Sequence, residues 1–396
     1  MPNRMIAAVT GTRAEYGLLR PVLQKLAACE GLTLHLIVTG THLCARYGNT
    51  VAEIEADGLP IAARIPILPD CEGTPAADTG AETARTISRA IDKFTEHFTL
   101  HRPAAVLLLG DRYEIFAVAV AAAALHIPIC HISGGDVTLG AADEYYRHCI
   151  TKMAALHFPS CADSAARLIR MGEPPQTVFC VGGLGDENIR TLPKMSREEL
   201  CESTKMPLDK PFAIVTYHPE TAPGAADPAA QVDALCAAMA QIPGLFWVLT
   251  GANADAGGQV CNEKLRAFAA ASPNTAAFIP SLGMRRYLSA MGCAALIVGN
   301  SSSGVVETPS FGVPAVNIGS RQDGRAICAN VLCCPAEADR IAQTIRNALT
   351  PAFAALAKTA KSPYFGGDTS GKIVAALLNA VKDPNFGAAK RFYDGE

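Results

Sequence analysis

Short apolar runs rich in Val and Ile alternate with longer amphipathic stretches along the whole chain. In the first half the apolar runs are Met5–Thr10, Thr33–Thr39, Ala105–Leu109, Ile127–His131, Leu156–Phe158 and Val178–Val181. In the second half they are Phe212–Tyr217, Leu245–Thr250, Ala276–Ile279, Ala295–Val298, Ala315–Ile318 and Ile327–Leu332. Between them a helical period predicts helices, among them Glu15–Ala28, Glu82–His97, Ile115–Leu125, Asp143–Ala155, Pro228–Gln241 and Met284–Met291. Strands that are apolar throughout, each followed by a helix, predict parallel sheets covered on both faces. The alternation restarts after Leu192–Asp209, a charged stretch punctuated by Pro193 and Pro207 that carries no strand signal. The expected fold is α/β, with Rossmann-like doubly wound parallel-sheet domains at 1–190 and 205–370 facing across a cleft. The tail at 371–396 opens on a helical period (Ile373, Val374, Leu377, Leu378, Val381) that can pack on either domain.

Polar clusters fall just after the predicted strands. They are Gly11-Thr12-Arg13, Gly40-Thr41-His42, Gly110-Asp111-Arg112 and Gly134-Gly135-Asp136, then His218-Pro219-Glu220, Gly251-Ala252-Asn253, Gly299–Gly304 and Gly319-Ser320-Arg321. In open parallel sheets the carboxyl ends of the strands line one crevice, and ligands bind there. Clusters on both halves predict a ligand with two parts, one held by each domain.

Composition narrows the ligand. At 396 residues the chain exceeds what one core supports, and 49% hydrophobic with 18% charged residues marks a globular protein. A net charge of -3 and a pI near 6.3 leave no electrostatic footprint for nucleic acid or membrane. An anionic ligand must therefore be held by local groups. The 14 cysteines include no C-x-x-C pair, so small reduced core thiols are expected rather than structural zinc. With no signal-like start and no run long enough to span a bilayer, a cytoplasmic location is expected.

The two halves carry different chemistry. In the second, Gly299–Gly304 is a small-residue turn entering a helix, where free N–H groups attract anions. Ser301 and Ser302 add hydroxyls, Glu307 suits a sugar diol, and Asn253, His218 and Arg321 converge on the same rim. The P-loop and dinucleotide glycine signatures are absent, and no Asp-x-Asp occurs to clamp a metal-bound diphosphate. A metal-free reaction on a nucleotide-linked substrate is expected. In the first half Asp111, Glu114, Asp136, Asp143 and Glu144 gather near one rim, with Arg13, Arg112, Arg147 and His148 to neutralise them. Such a cluster is either a salt-bridge network or an acid/base device. The spacing of Asp143 and Arg147 suggests an intrahelical pair; Asp111 and Asp136 have no local explanation.

With these residues in place the chain resembles the hydrolysing UDP-N-acetylglucosamine 2-epimerases of bacterial sialic acid synthesis over nearly its whole length. The markers are Thr10–Tyr16, Gly110-Asp111-Arg112, His131-x-x-Gly134-Gly135, Asp143-Glu144-x-x-Arg147-His148-x-Ile150-x-Lys152, His218-Pro219-Glu220, Asn253-x-Asp255, Gly299–Gly304 and Gly319-Ser320-Arg321-Gln322-x-Gly324-Arg325. The resemblance implies glycosyltransferase-B-like architecture, a nucleotide-sugar substrate, no metal or redox cofactor, and a homodimer or homotetramer. It implies catalytic roles among Asp111, Asp136, Asp143, Glu144, Arg147 and His218. UDP would be bound by His218, Ser301, Ser302 and Glu307, with Arg13, Arg112, Asn253 and Arg321 as further candidates. The implied reaction eliminates UDP to a 2-acetamidoglucal and then hydrates it with inversion at C2. One departure matters: where many relatives carry a carboxylate between His-Ile and Gly-Gly, this chain has Ser133. The base is therefore to be sought first at Asp111 and at Asp143 or Glu144, then at Asp136. Competing readings are the same reaction on a UDP- or GDP-linked 2,4-diacetamido sugar, a glycosyltransferase, and a non-catalytic nucleotide-sugar sensor.

Overall fold

The structure, a computed structural model, describes residues 4–69, 80–138, 143–220, 227–252 and 257–395. The chain forms two compact units. The first comprises 1–136, 143–188 and 364–396, the second 137–142 and 189–363.

In the first unit six parallel strands form one sheet: β1 (Met5–Thr10), β2 (Thr33–Thr39), β3 (Ile61–Ile65), β4 (Ala105–Leu109), β5 (Ile129–Ile132) and β6 (Leu156–Phe158). Their order is β3-β2-β1-β4-β5-β6. The second unit repeats this winding with β7 (Phe212–Thr216), β8 (Phe246–Thr250), β9 (Ala276–Ile279), β10 (Leu296–Gly299), β11 (Ala315–Ile318) and β12 (Val331–Cys334), in the order β12-β11-β10-β7-β8-β9. The central strands β1, β4, β7 and β10 are buried almost end to end, so each sheet separates two apolar layers. Winding reverses between β1 and β4 in one sheet and between β7 and β10 in the other. Those reversals are where an open parallel sheet leaves a crevice for ligand.

Several elements differ from the sequence expectation. Val178–Val181 forms no strand: it makes a single bridge from Val178 to His157 beside β6. The edge strand β3 was not expected, because its Ala62 and Arg64 are exposed and break the apolar run. The charged stretch after Leu192 holds a helix, Arg197–Thr204, that buries Leu200 in the second unit's core. The expected linker is thus part of that unit, and the division falls between Asn188 and Ile189. The C-terminal helix Thr369–Ala380 joins the first unit, burying Ile373, Val374 and Leu377 with Leu19 and Leu23. Twelve of the described cysteines are free thiols; Cys44 is disulfide-bonded, unlike the fully reduced set expected. Among the described residues no helix is long and apolar enough to cross a membrane.

Candidate functional site

In the first unit the switch-point loops leave β1 and β4 side by side. Thr12 caps the helix Arg13–Ala27 in a reciprocal capping box: Glu15 N–H donates to Thr12 Oγ1, and Glu15 Oε2 accepts from Thr12 N–H at 3.0 Å. The same oxygen accepts from Gly11 N–H at 2.7 Å, which fixes the turn that presents Arg13. Arg13 pairs with Glu53 at 2.7 Å. After β4, Arg112 lies against the fully buried Glu114, with Nε and Nη2 each donating at 3.2 Å. Burial first, then Glu114, pushes the Glu15 carboxyl up to about 8.

The carboxylate cluster resolves around one cation. Arg147, only 1% exposed, lies in the helix Asp143–Met153. Its Nη2 donates to Asp111 Oδ2, and its Nη1 donates to Glu144 Oε2 at 2.6 Å and to the Asp136 carbonyl at 3.0 Å. Glu144 Oε1 is engaged by His148 Nε2 at 2.9 Å. Arg147 therefore joins Glu144, one turn away, to Asp111, which is 36 residues distant in sequence. Asp136 is placed differently. Its Oδ1 accepts from Ser160 Oγ at 2.9 Å and Ser164 Oγ at 2.7 Å, so it anchors the Gly134–Asp136 turn to the start of the helix Ala162–Arg170. Asp143 opens the Asp143–Met153 helix. Ser133 has a left-handed φ of 63°, and its N–H donates to the Phe158 carbonyl at 3.0 Å.

In the second unit Asn300 organises the switch point. Its Oδ1 accepts from His218 N–H at 2.7 Å and its Nδ2 donates to the His218 carbonyl at 2.8 Å, tying the end of β7 to the end of β10. Its carbonyl accepts from Gln322 Nε2 at 2.8 Å and Arg321 Nη1 at 3.3 Å. Glu220 accepts from Ser320 N–H at 2.9 Å and so holds the third loop in place. Gly299 has φ of 136°, and a Cβ there would collide with the Thr216 carbonyl. The helix expected after this turn is a single turn, Ser303–Val306, followed by a second turn, Thr308–Phe311, with Glu307 between them. The anion-attracting feature is therefore the loop itself rather than a long helix dipole. Among the described residues, the N–H groups of Ser301, Ser302 and Ser303 have no protein acceptor.

Side chains missed in the sequence complete this loop. Tyr287 Oη bonds Ser303 Oγ at 2.6 Å, and Ser301 Oγ lies 3.1 Å from the same oxygen. Thr216, Ser301, Gly304 and Asn317 line a small crevice beneath the turn. His218 is pushed down to about 3 by burial and then by Arg321, so it is neutral at pH 7 and Arg321 supplies the charge. Burial alone raises Glu307 to about 7. Asn253 lies outside the described residues. Among the described residues no group of His, Cys, Asp and Glu suited to a metal ion occurs.

Residues 24–378 match the family model described as UDP-N-acetylglucosamine 2-epimerase. The chain is 36% identical to the GDP/UDP-N,N'-diacetylbacillosamine 2-epimerase (hydrolyzing) of Campylobacter jejuni, over 84% of each chain. It is 34% identical to the polysialic acid biosynthesis protein P7 of Escherichia coli, over 99% of this chain and 97% of that one. Its fold matches the crystal structure of UDP-GlcNAc 2-epimerase from Neisseria meningitidis bound to UDP-GlcNAc, with TM-score 0.79, 17% identity, and 95% and 100% of the two chains covered.

Proposed function

Because this chain belongs to the UDP-N-acetylglucosamine 2-epimerase family, we propose that it is a hydrolysing 2-epimerase. It converts UDP-N-acetylglucosamine and water to N-acetylmannosamine and UDP, for sialic or related nonulosonic acid synthesis. The observation that carries this reading is the chemistry at the two switch points. A loop with three N–H groups that no described residue accepts sits at one, and paired carboxylates on a buried arginine sit at the other.

The Ser301–Ser303 amides and Arg321 receive the diphosphate, neutral His218 lends hydrogen bonding, and Glu307 accepts from the ribose hydroxyls. Leaving-group charge is met by these groups, since a diphosphate needs stabilisation more than a proton. Asp111 and Glu144 form the acid/base pair. One removes the C2 proton; the C–H electron pair becomes the C1=C2 bond as the C1–O bond to UDP breaks. Water then adds at C1, and C2 receives a proton on the opposite face, which inverts it. Arg147 cannot give up its own proton. It balances the pair whichever carboxylate holds the transferred one, and so meets the need left by Ser133.

A second substrate has its own support. Both the Campylobacter relative and a 36% identical Legionella pneumophila protein, matched over 87% of this chain and 89% of that one, are named for N,N'-diacetylbacillosamine. Product analysis with UDP-N-acetylglucosamine and with the UDP- and GDP-linked diacetamido sugars tests the choice. Fastest release of N-acetylmannosamine supports the first substrate, and exclusive turnover of a diacetamido donor replaces it.

A further inference from the structure

A buried ionic cluster that this chemistry leaves unused lies at the other end of the Asp143–Met153 helix. Glu173 is fully buried and meets three basic side chains: Lys152 at 2.6 Å, His157 at 2.8 Å and Lys390 at 2.5 Å. Lys390 comes from the C-terminal segment, far away in sequence. Its Nζ also donates to the carbonyls of Thr151 at 3.0 Å, Lys152 at 3.0 Å and Ala154 at 2.8 Å. Thr151 and Lys152 lie in the last turn of the helix and Ala154 follows it, where carbonyls run short of helical partners and a cation is favoured by the helix dipole; the Thr151 carbonyl also accepts from Ala154 N–H at 3.1 Å.

Neighbouring residues of the segment grip the same place. Lys152 Nζ sits 4.7 Å from the centre of the Phe392 ring, and that ring covers Gly172 so closely that a Cβ there would collide with it. Tyr393 N–H donates to the Gly172 carbonyl at 2.9 Å. Gly387 packs on Pro128, just before β5. The contacts thus lie at the C-terminal end of the helix, at Gly172 and at the start of β5, while Glu144, Arg147 and His148 occupy the first turns of the same helix. A helix of 11 residues moves as one body, so what fixes its last turn fixes its first.

We infer that residues 387–393 are a clasp on this helix, and that Lys390 is a positioning residue for the Asp111–Arg147–Glu144 acid/base pair. The inference rests on the reading that this pair performs the C2 proton transfers. Misplacing a reacting group by about 1 Å costs on the order of 100-fold in rate, whereas nucleotide binding on the second unit does not involve the helix. Loss of the clasp therefore lowers kcat and leaves KM and UDP affinity in place.

The test compares the wild-type protein with Lys390→Met, Lys390→Arg and the milder Phe392→Ala, in turnover, UDP binding and amide hydrogen exchange. Lys390→Met is expected to lower kcat at least 10-fold with KM within 2-fold, and to speed exchange in 143–153 selectively. Lys390→Arg is expected to restore most of the rate, and Phe392→Ala to fall between. If Lys390→Met fails to fold, the same ordering between Phe392→Ala and wild type decides. Unchanged kcat in an active protein overturns the clasp alone, as does a loss that Arg does not rescue. A wild-type protein that turns over none of the nucleotide sugars overturns the function beneath it.

Discussion

Replacing Arg147 by Met removes the cation that Asp111 and Glu144 share and takes that partner from both carboxylates. Arg147 is 1% exposed, Asp111 24% and Glu144 15%, so the network is shielded on the arginine side and partly wet on the carboxylate side. Removing one partner of a buried pair costs about 3–5 kcal/mol, and the partial access of water places this case near the lower figure, about 3 kcal/mol. For a domain of this size each kcal/mol lowers Tm by about 2–4 °C, giving an expected drop of about 6–12 °C. Scanning calorimetry reads the drop. Adding Asp111→Asn and Glu144→Gln to Arg147→Met removes the stranded charges and is expected to recover at least half of it. All of these variants should still bind UDP, because the loop proposed to receive the diphosphate belongs to the other unit. An Arg147→Met protein melting within about 2 °C of wild type, or a triple variant with no recovery, would refute the shared-arginine arrangement.

Asp111→Asn is expected to lower turnover by about 10²–10⁴-fold while UDP affinity, followed by calorimetry, stays within 2-fold. Glu173 is held down to about 2: burial opposes its ionisation, but the bonds from His157, Lys152 and Lys390 outweigh it. Its native titration lies below its unfolded one, so its stabilisation is present above about pH 4.5 and is lost as pH falls towards 2. The stability gap between wild type and Glu173→Gln, up to about 3 kcal/mol in denaturant titrations near neutrality, should close across that window. Gly299→Ala drives a methyl into the Thr216 carbonyl and is expected to abolish UDP binding, while Gly304→Ala, with only Ile297 nearby at 3.8 Å, should keep it.

What the sequence revealed follows the physics of each element. The central strands are buried on both faces and read as unbroken apolar runs; the edge strand β3 alternates with exposed Ala62 and Arg64 and loses that signature. The helix Arg197–Thr204 hid behind its charge, although Ser196 and Glu199 stand at capping-box spacing and form that box. At the site, both switch-point loops were visible as polar clusters after strands. Their internal wiring was not, because Arg147–Asp111 and Asn300–His218 join residues that only the strand order brings together. The spacing of Asp143 and Arg147 pointed to a local pair; Glu144, three residues before Arg147, is a helix neighbour whose carboxylate Arg147 holds. Glu307 was expected within the helix entered from Gly299–Gly304 and stands at the junction of two single turns.

The central claim is that the chain abstracts and returns a proton at C2 while expelling UDP. Turnover of UDP-N-acetylglucosamine in deuterated water, followed by proton NMR, tests it most directly. The account predicts free N-acetylmannosamine bearing deuterium at C2, one UDP released per sugar, and no such product from Asp111→Asn. Release of a sugar that keeps its C2 proton, or of N-acetylglucosamine with unchanged configuration, would contradict it.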